Sequence, residues 1–365
     1  MAAMKPVLDL VIDANVVLVL AFCFWWLAQT TVLKTRLKTD YVLQLRLLRA
    51  VLVLVVLSPV LSLLAVKSSQ IFWPDVPMTV SDLAVAAYLR GEIAMPALQF
   101  EAVLNSRSNM LDSFFAGELP WLSTLAGLLV VGSACLICRT AMTLSRIHGI
   151  VSASYVWRRT RRTDIRLSDT ISVPFATRGL FRKHVVLPSA LVTTPEDMKV
   201  VLAHEFEHLR QGDVEWELAF EFLRPVLYFN PAFHFWKLRF GQIREFNCDQ
   251  SVLERLAITP ARYADCLLRF CSQGRTKQRD ISAFNVAFLK TGSSGRMALE
   301  QRLLALAHTR TPTSARWVLF SMSMVLALGV ILAASSVRNP GDWSQDRLTL
   351  STVVNLERLE AINRR

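Results

Sequence analysis

Val200-Val-Leu-Ala-His-Glu-Phe-Glu-His-Leu-Arg-Gln-Gly-Asp213 is the stretch on which the reading of this 365-residue chain turns. It opens apolar, carries His204 and His208 four positions apart, and ends at Gly212. Just upstream, Thr194-Pro195-Glu196-Asp197 is a helix start: a capping hydroxyl, proline at the first helical position, then acids in the first turn. A helix running from there to Gly212 stacks the two histidines on one side, so both imidazoles can reach one metal ion. Glu205 follows the first histidine and stands near the open position of such a metal. There it can take a proton from water and pass it to a leaving amine. The pattern His-Glu-x-x-His therefore points to Zn2+ as cofactor, with Glu205 as catalytic base.

A catalytic zinc needs a third protein ligand as well as an open position. Downstream, Val214 to about Arg224 reads as a second helix before Pro225, and a third begins at Asn230-Pro231 and continues past Asp249. The third helix carries Glu245 and, four residues on and so on the same face, Asp249. Glu245 is the candidate ligand, and Asp249 could hydrogen-bond the far nitrogen of a ligating histidine. By spacing alone the pair fits a solvated helix face equally well. Cys248 would be a soft ligand but reads as helix packing. His234, among Phe233, Phe235 and Trp236, reads as a packed histidine. His184 falls on a strand, His148 near the membrane and His308 near the fourth apolar block.

The rest of the chain is not that of a soluble enzyme. Hydrophobic residues make up 53% and charged residues 19%, with a mean hydropathy of +0.36. The apolar excess gathers in four blocks near Leu10–Leu33, Ala50–Val66, Trp121–Thr143 and Trp317–Val337, each close to the ~20 residues that cross a bilayer. The first is too long for a signal peptide and is read as a retained span. A formal net charge of +12 could suggest nucleic acid. The basic residues instead flank the apolar blocks, so no nucleic acid partner is expected and the bilayer is.

Those flanking charges orient the chain. Lys34, Arg36, Lys38, Arg46 and Arg49 against Asp40 put the first connection in the cytoplasm. Asp75, Asp82, Glu92, Glu101, Asp112 and Glu118 put residues 67–118 outside, as a mostly apolar, amphipathic loop. Arg139, Arg146 and the run Arg158–Arg162 after block three, with Arg302, Arg310 and Arg316 before block four, put the segment between them inside. The Arg158–Arg162 cluster itself reads as a membrane-surface anchor. The expected organisation is two spans in 1–66, an outer loop at 67–118, a third span at 119–144, a cytoplasmic domain at 145–316, a fourth span at 317–337 and a short outer tail at 338–365. Both termini are outside. Cys23, Cys135, Cys138, Cys248, Cys266 and Cys271 avoid the outer stretches, which suits a reducing compartment and offers no disulfide framework.

Within the cytoplasmic domain, Ile171–Thr177 and Leu180–Leu187 read as strands, Pro174 restricting the first to a sheet edge. From about 195 onward the domain reads helical. Residues 272–296, bearing Gly274, Gly292 and Gly295, read as an exposed loop and a candidate self-cleavage region.

Taken together, Ser172-Val-Pro174, Gly179, Val186-Leu-Pro188, His204–His208, Asn230-Pro231, Glu245-Phe-Asn-Cys-Asp249, Ala283-Phe284 and Arg296–Leu304 resemble the BlaR/MecR-type membrane zinc metallopeptidases, the protease half of antibiotic-sensing transducers. The resemblance covers most of the chain. It implies a membrane α-helical protein with four transmembrane helices and an α+β zincin-like (gluzincin) metallopeptidase domain inserted between helices 3 and 4. It also implies a bacterial inner membrane location. By position it makes His204, His208 and Glu245 the metal ligands, Glu205 the base and Asp249 the residue behind the ligands. It further implies regulated cleavage of a cytoplasmic protein, such as a winged-helix repressor, and of the chain itself. The sensors of that family carry a penicillin-binding domain after the fourth span, where this sequence has 28 residues, so β-lactam sensing by this chain alone is not expected. An HtpX-type quality-control protease and a non-catalytic zinc-binding transducer are the competing readings, and homo-oligomerisation is left open. An intact Glu205 speaks against the non-catalytic one, since a structural site needs no base.

Overall fold

The computed structural model describes residues 4–31, 40–72, 80–179, 181–274, 293–306, 324–325, 328–329 and 345–363. The fourth apolar block falls almost wholly outside these residues, as do His308 and residues 275–292 of the proposed cleavage loop. Among the described residues, three helices are long and apolar enough to cross a membrane, with spans at Leu8–Leu27, Tyr41–Ser58 and Pro120–Ala153. They belong to α1 (Met4–Thr31), α2 (Tyr41–Phe72) and α6 (Pro120–Ala153). Each extends past its apolar block at one end or both.

The chain divides into two compact units. The first comprises residues 1–29, 49–130 and 315–365. The described residues of the segment expected as an outer loop form three short helices, α3 (Val80–Leu89), α4 (Ala97–Leu104) and α5 (Ser106–Ala116). Arg107 of α5 ties back to α1 through Asp9 (2.6 Å) and Asp13 (2.8 Å). The segment expected as a short outer tail contains a helix, here α12 (Gln345–Asn363). Val85, Ala97, Phe100, Leu350 and Val354 make one buried cluster, so α12 completes a small core with α3 and α4. Glu357 accepts the Leu98 backbone N–H at 3.1 Å, capping the start of α4. Arg358 pairs with Glu101 at 2.9 Å.

The second unit comprises residues 30–48 and 131–314. Its sheet runs β1-β2-β4-β3, built from β1 (Tyr155–Arg159), β2 (Thr163–Ser168), β3 (Phe175–Arg178) and β4 (Lys183–Pro188). β2 and β4 are parallel; the outer pairings are antiparallel. The edge position expected from Pro174 is where β3 lies, although the strand itself is shorter than expected. The arginines at 158–162 form the β1–β2 hairpin, and Arg159 lies 3.5 Å from Asp164.

Five helices follow: α7 (Pro195–Gln211), α8 (Asp213–Leu227), α9 (Pro231–Leu256), α10 (Pro260–Gly274) and α11 (Ser293–Leu306). α7 lies against the sheet, and Val185, Leu187, Val200, Val201, Leu209, Val252 and Leu267 share one core with Cys248 and Tyr263. The Thr194 hydroxyl does not cap α7 but turns back to the Leu191 carbonyl. Asn230 does cap α9, accepting Ala232 N–H at 3.0 Å. α8 continues through Pro225 to Leu227, because a proline near the helix end removes only one backbone donor.

Candidate metal centre

α7 ends where Gly212 takes a left-handed conformation (φ 72°) and returns its N–H to the His208 carbonyl. That turn starts α8 at once and sets Asp213 beside the histidine it follows: Asp213 Oδ2 is 2.7 Å from His208 Nδ1. A carboxylate only accepts, so Nδ1 of His208 carries the proton and Nε2 presents a lone pair. His204 is arranged alike from the opposite side. Tyr263 of α10 donates to Asp249 Oδ1 (2.7 Å), so its oxygen accepts from His204 Nδ1 at 3.0 Å. The two Nε2 lone pairs then face each other 3.1 Å apart.

Glu245, on α9, enters the same space. Its Oε2 is 3.6 Å from His204 Nε2 and its Oε1 is 3.7 Å from His208 Nε2. Glu245 Oε2 is buried without a hydrogen-bond partner among the described residues. Three electron-rich groups converging in a buried pocket repel one another unless a cation lies between them. Two ligands at ~2.0–2.1 Å on a tetrahedral zinc would be about 3.3 Å apart, which fits this triangle. These residues could therefore hold a divalent metal through two imidazoles and a carboxylate.

The surrounding charges agree. Burial alone would raise the Glu245 carboxyl, but His208, His204, Arg302 and Arg244 outweigh it and hold the group well below the usual range. Burial lowers His208, and Glu245 and Asp213 more than reverse that. Arg244 spans Glu217 (3.0 Å) and Glu245 (3.3 Å). Arg302 of α11 forks onto Asp249 at 2.8 and 2.6 Å and reaches Glu245 at 3.4 Å. Asp249 therefore acts on His204 through Tyr263, its own oxygen standing 3.5 Å from Nδ1, and is neutralised by Arg302. Glu205 is buried and accepts the Ala176 N–H from edge strand β3; burial pushes its carboxyl up, against the pull of His208 and His204.

Cys248 also lies close, and His204, His208 and Cys248 each place a potential ligand atom within 4.8 Å of the others. The thiol, however, faces Nδ1 of His204 (3.4 Å) and the His204 carbonyl, the edge of the ring away from Nε2. Burial and the charges of Asp249 and Glu245 push it well up. Of the two, Glu245 lies on the Nε2 side of the rings and Cys248 on the Nδ1 side.

A match to the BlaR1 peptidase M56 profile runs over residues 10–306, more than four fifths of the sequence. The chain belongs to the BlaR1 peptidase M56 family. This M56 protein is accordingly a membrane protein of a metallopeptidase family. It is also similar to the regulatory protein BlaR1 of Bacillus licheniformis, 26% identical over 161 residues, which is 44% of this chain. The alignment covers 26% of that relative's length.

Of the residues singled out in the sequence, His204, Glu205, His208, Glu245 and Asp249 come together. His184 sits on β4 near Asp164 (3.8 Å), away from this cluster. His234 is not packed. It is exposed, with Nε2 on the Tyr228 carbonyl. Asp213, Tyr263, Arg244 and Arg302 were not foreseen. Asp213 had a signal, as the first residue past the glycine that ends the histidine helix. Tyr263 and Arg302 come from other helices and show no spacing to the motif.

Proposed function

We propose that His204 Nε2, His208 Nε2 and a Glu245 oxygen hold a zinc ion, and that Glu205 is the general base of peptide-bond hydrolysis. The observation that carries this is the pair of facing Nε2 lone pairs, each fixed by a proton locked on the far nitrogen, with a buried carboxylate beside them. Bound there, zinc supplies a Lewis acid that polarises a carbonyl and makes water more acidic. Glu205 takes the proton of the attacking water and returns it to the leaving amine. Its raised pKa suits it to both steps better than an ordinary carboxylate. Strand β3 lies at the sheet edge beside Glu205, where an extended peptide can add as a further strand. Asp213 and the Tyr263–Asp249 pair keep the rings in the right tautomer.

The domain is zincin-like, of the gluzincin kind, with the catalytic unit on the cytoplasmic side, as the basic flanks of the spans require. The substrate is a cytoplasmic protein. The relative's name, a regulatory protein, favours regulated cleavage, such as that of a winged-helix repressor, over quality control. Purified full-length protein should contain one zinc per chain by elemental analysis. Glu205→Gln should keep the metal and lose at least about 1,000-fold in cleavage of a peptide library, while Glu245→Ala should lose the metal. Wild-type protein free of transition metal, or Glu245→Ala holding zinc as tightly as wild type, would refute the assignment.

A further inference from the structure

The α8–α9 hairpin has its polarity reversed. From residue 222 to 238 every exposed residue is apolar except His234, whose Nε2 is occupied by the Tyr228 carbonyl. Phe222 is 68% exposed and Phe235 57%, and Val226, Phe229 and Leu238 share this outer surface. The charges point the other way. Glu221 is buried and pairs with Lys237 and with Arg224 (3.4 Å). Glu217, also buried, pairs with Lys237 (3.1 Å) and Arg244 (3.0 Å). A ladder of ion pairs thus runs inside the hairpin while phenylalanines line its outside. In water such a surface is unfavourable by ~25 cal/mol per Å2 of apolar area. In hydrocarbon both halves of the pattern are required: charges paired inward, apolar groups outward.

Contacts with α6 give the depth. The Ser133 hydroxyl donates to the Pro225 carbonyl at 2.7 Å, one of the acceptors left over at the end of α8. At Gly132 the hairpin approaches so closely that a Cβ would overlap the Tyr228 phenol, 2.9 Å from Cζ. Trp121 and Arg139 bound the apolar part of α6, and their 18-residue separation is about 27 Å of helix, nearly the ~30 Å hydrocarbon core. Gly132 lies about 10 Å inside the Arg139 end. α9 provides a second measure. Phe246 packs on Tyr41 at the start of the second span, with ring centroids 5.2 Å apart. The hairpin tip at Pro231 is about 22 Å away along the helix. Both measures put the tip deeper in the membrane than the Glu245 end.

We propose that residues 222–238 form a membrane-immersed helical hairpin, clasped to the third span at Gly132–Ser133, whose partner is the hydrocarbon of the lipid bilayer. This rests on α6 crossing the membrane and not on the metal assignment. The centre carrying Glu245 is thereby fixed at the membrane surface, at the head of a wedge that enters the bilayer.

Spin labels on Phe222→Cys, Phe229→Cys and Phe235→Cys, in full-length protein with the native cysteines replaced, test this in vesicles of phosphatidylethanolamine and phosphatidylglycerol. Collisions with oxygen, which concentrates in lipid, are compared with those of a water-soluble nickel chelate. Leu128→Cys on the span serves as lipid reference and Glu196→Cys on α7 as water reference. The hairpin labels should follow Leu128, with oxygen access exceeding nickel access several-fold. Nickel access matching Glu196 would overturn the proposal. So would protection from both reagents, which would mean that protein, a second copy included, covers the surface. If one variant fails to accumulate, Val226→Cys and Leu238→Cys probe the same face.

Discussion

The two halves of α9 follow opposite rules. From Arg244 to Val252 the helix is buried on several sides, and Arg244, Glu245, Asn247, Asp249 and Gln250 are all withdrawn from solvent. From Pro231 to Leu238 it buries Phe233 and Trp236 but exposes Phe235 and Leu238. One half surrounds charges with protein, the other shows aromatic rings to the exterior. The contrast shows that apolar periodicity locates a helix face without saying which medium that face meets. A continuous helix can run from a catalytic pocket into a different solvent.

Five substitutions test that contrast, beginning with the pocket end. Arg302→Met leaves Asp249 buried beside Tyr263 with its main counter-charge gone. Loss of one partner of such a pair costs about 3–5 kcal/mol, and thermal unfolding in detergent should show it. A loss under about 1 kcal/mol would mean that the polar half of α9 is not the rigid, desolvated frame described here. Next, Asp213→Asn removes the acceptor that fixes His208. Zinc affinity, measured by chelator competition, should fall about 10- to 100-fold with little change in secondary structure.

At the other end, Asn230→Ala removes the cap of α9. Such caps are worth about 1 kcal/mol, up to about 2, and the upper value is expected here because no water replaces the lost acceptor in lipid. The smallest effect is expected on the water-facing part of α8. There Glu215, about a third exposed, meets Arg178 (2.7 Å) and Lys183 (3.4 Å). Burial raises its carboxyl, but its own backbone N–H, Lys183 and Arg178 lower it further, so the folded pKa is depressed. Its stabilisation is present above the unfolded value near ~4.3 and disappears as pH falls through the lower folded value. Glu215→Gln should therefore cost under about 1 kcal/mol at pH 7, less in high salt, and nothing in strong acid. Glu221→Gln, its counterpart inside the hairpin, should cost more and show no salt dependence.

Much of this was legible in the sequence because it rests on local rules. The histidine helix is written by Thr194-Pro195 and Gly212, and three spans by their apolar runs. Glu245 was visible as a candidate, but spacing could not separate a ligand from a solvated face, since that depends on which side of α9 packs on α7. Asp213 was overlooked because the turn at Gly212 reverses the chain, and sequence distance says nothing of reversal. Tyr263 and Arg302 reach the site only through the packing of α10 and α11. The aromatic neighbours of His234 suggest an interior, but only Phe233 and Trp236 are buried, while Phe235 points outward as His234 does.

The hydrogen bond between Leu98 and Glu357 joins positions 259 residues apart, with residues 131–314 of the second unit encoded between them. On the ribosome, α3 and α4 must wait, with Val85 and Phe100 uncovered, until α12 has been synthesised. The second unit needs nothing beyond residue 314, so the order of maturation is set by where the partner helices fall in the message: the helices around Glu245 can assemble first, and the module formed with α12 closes last.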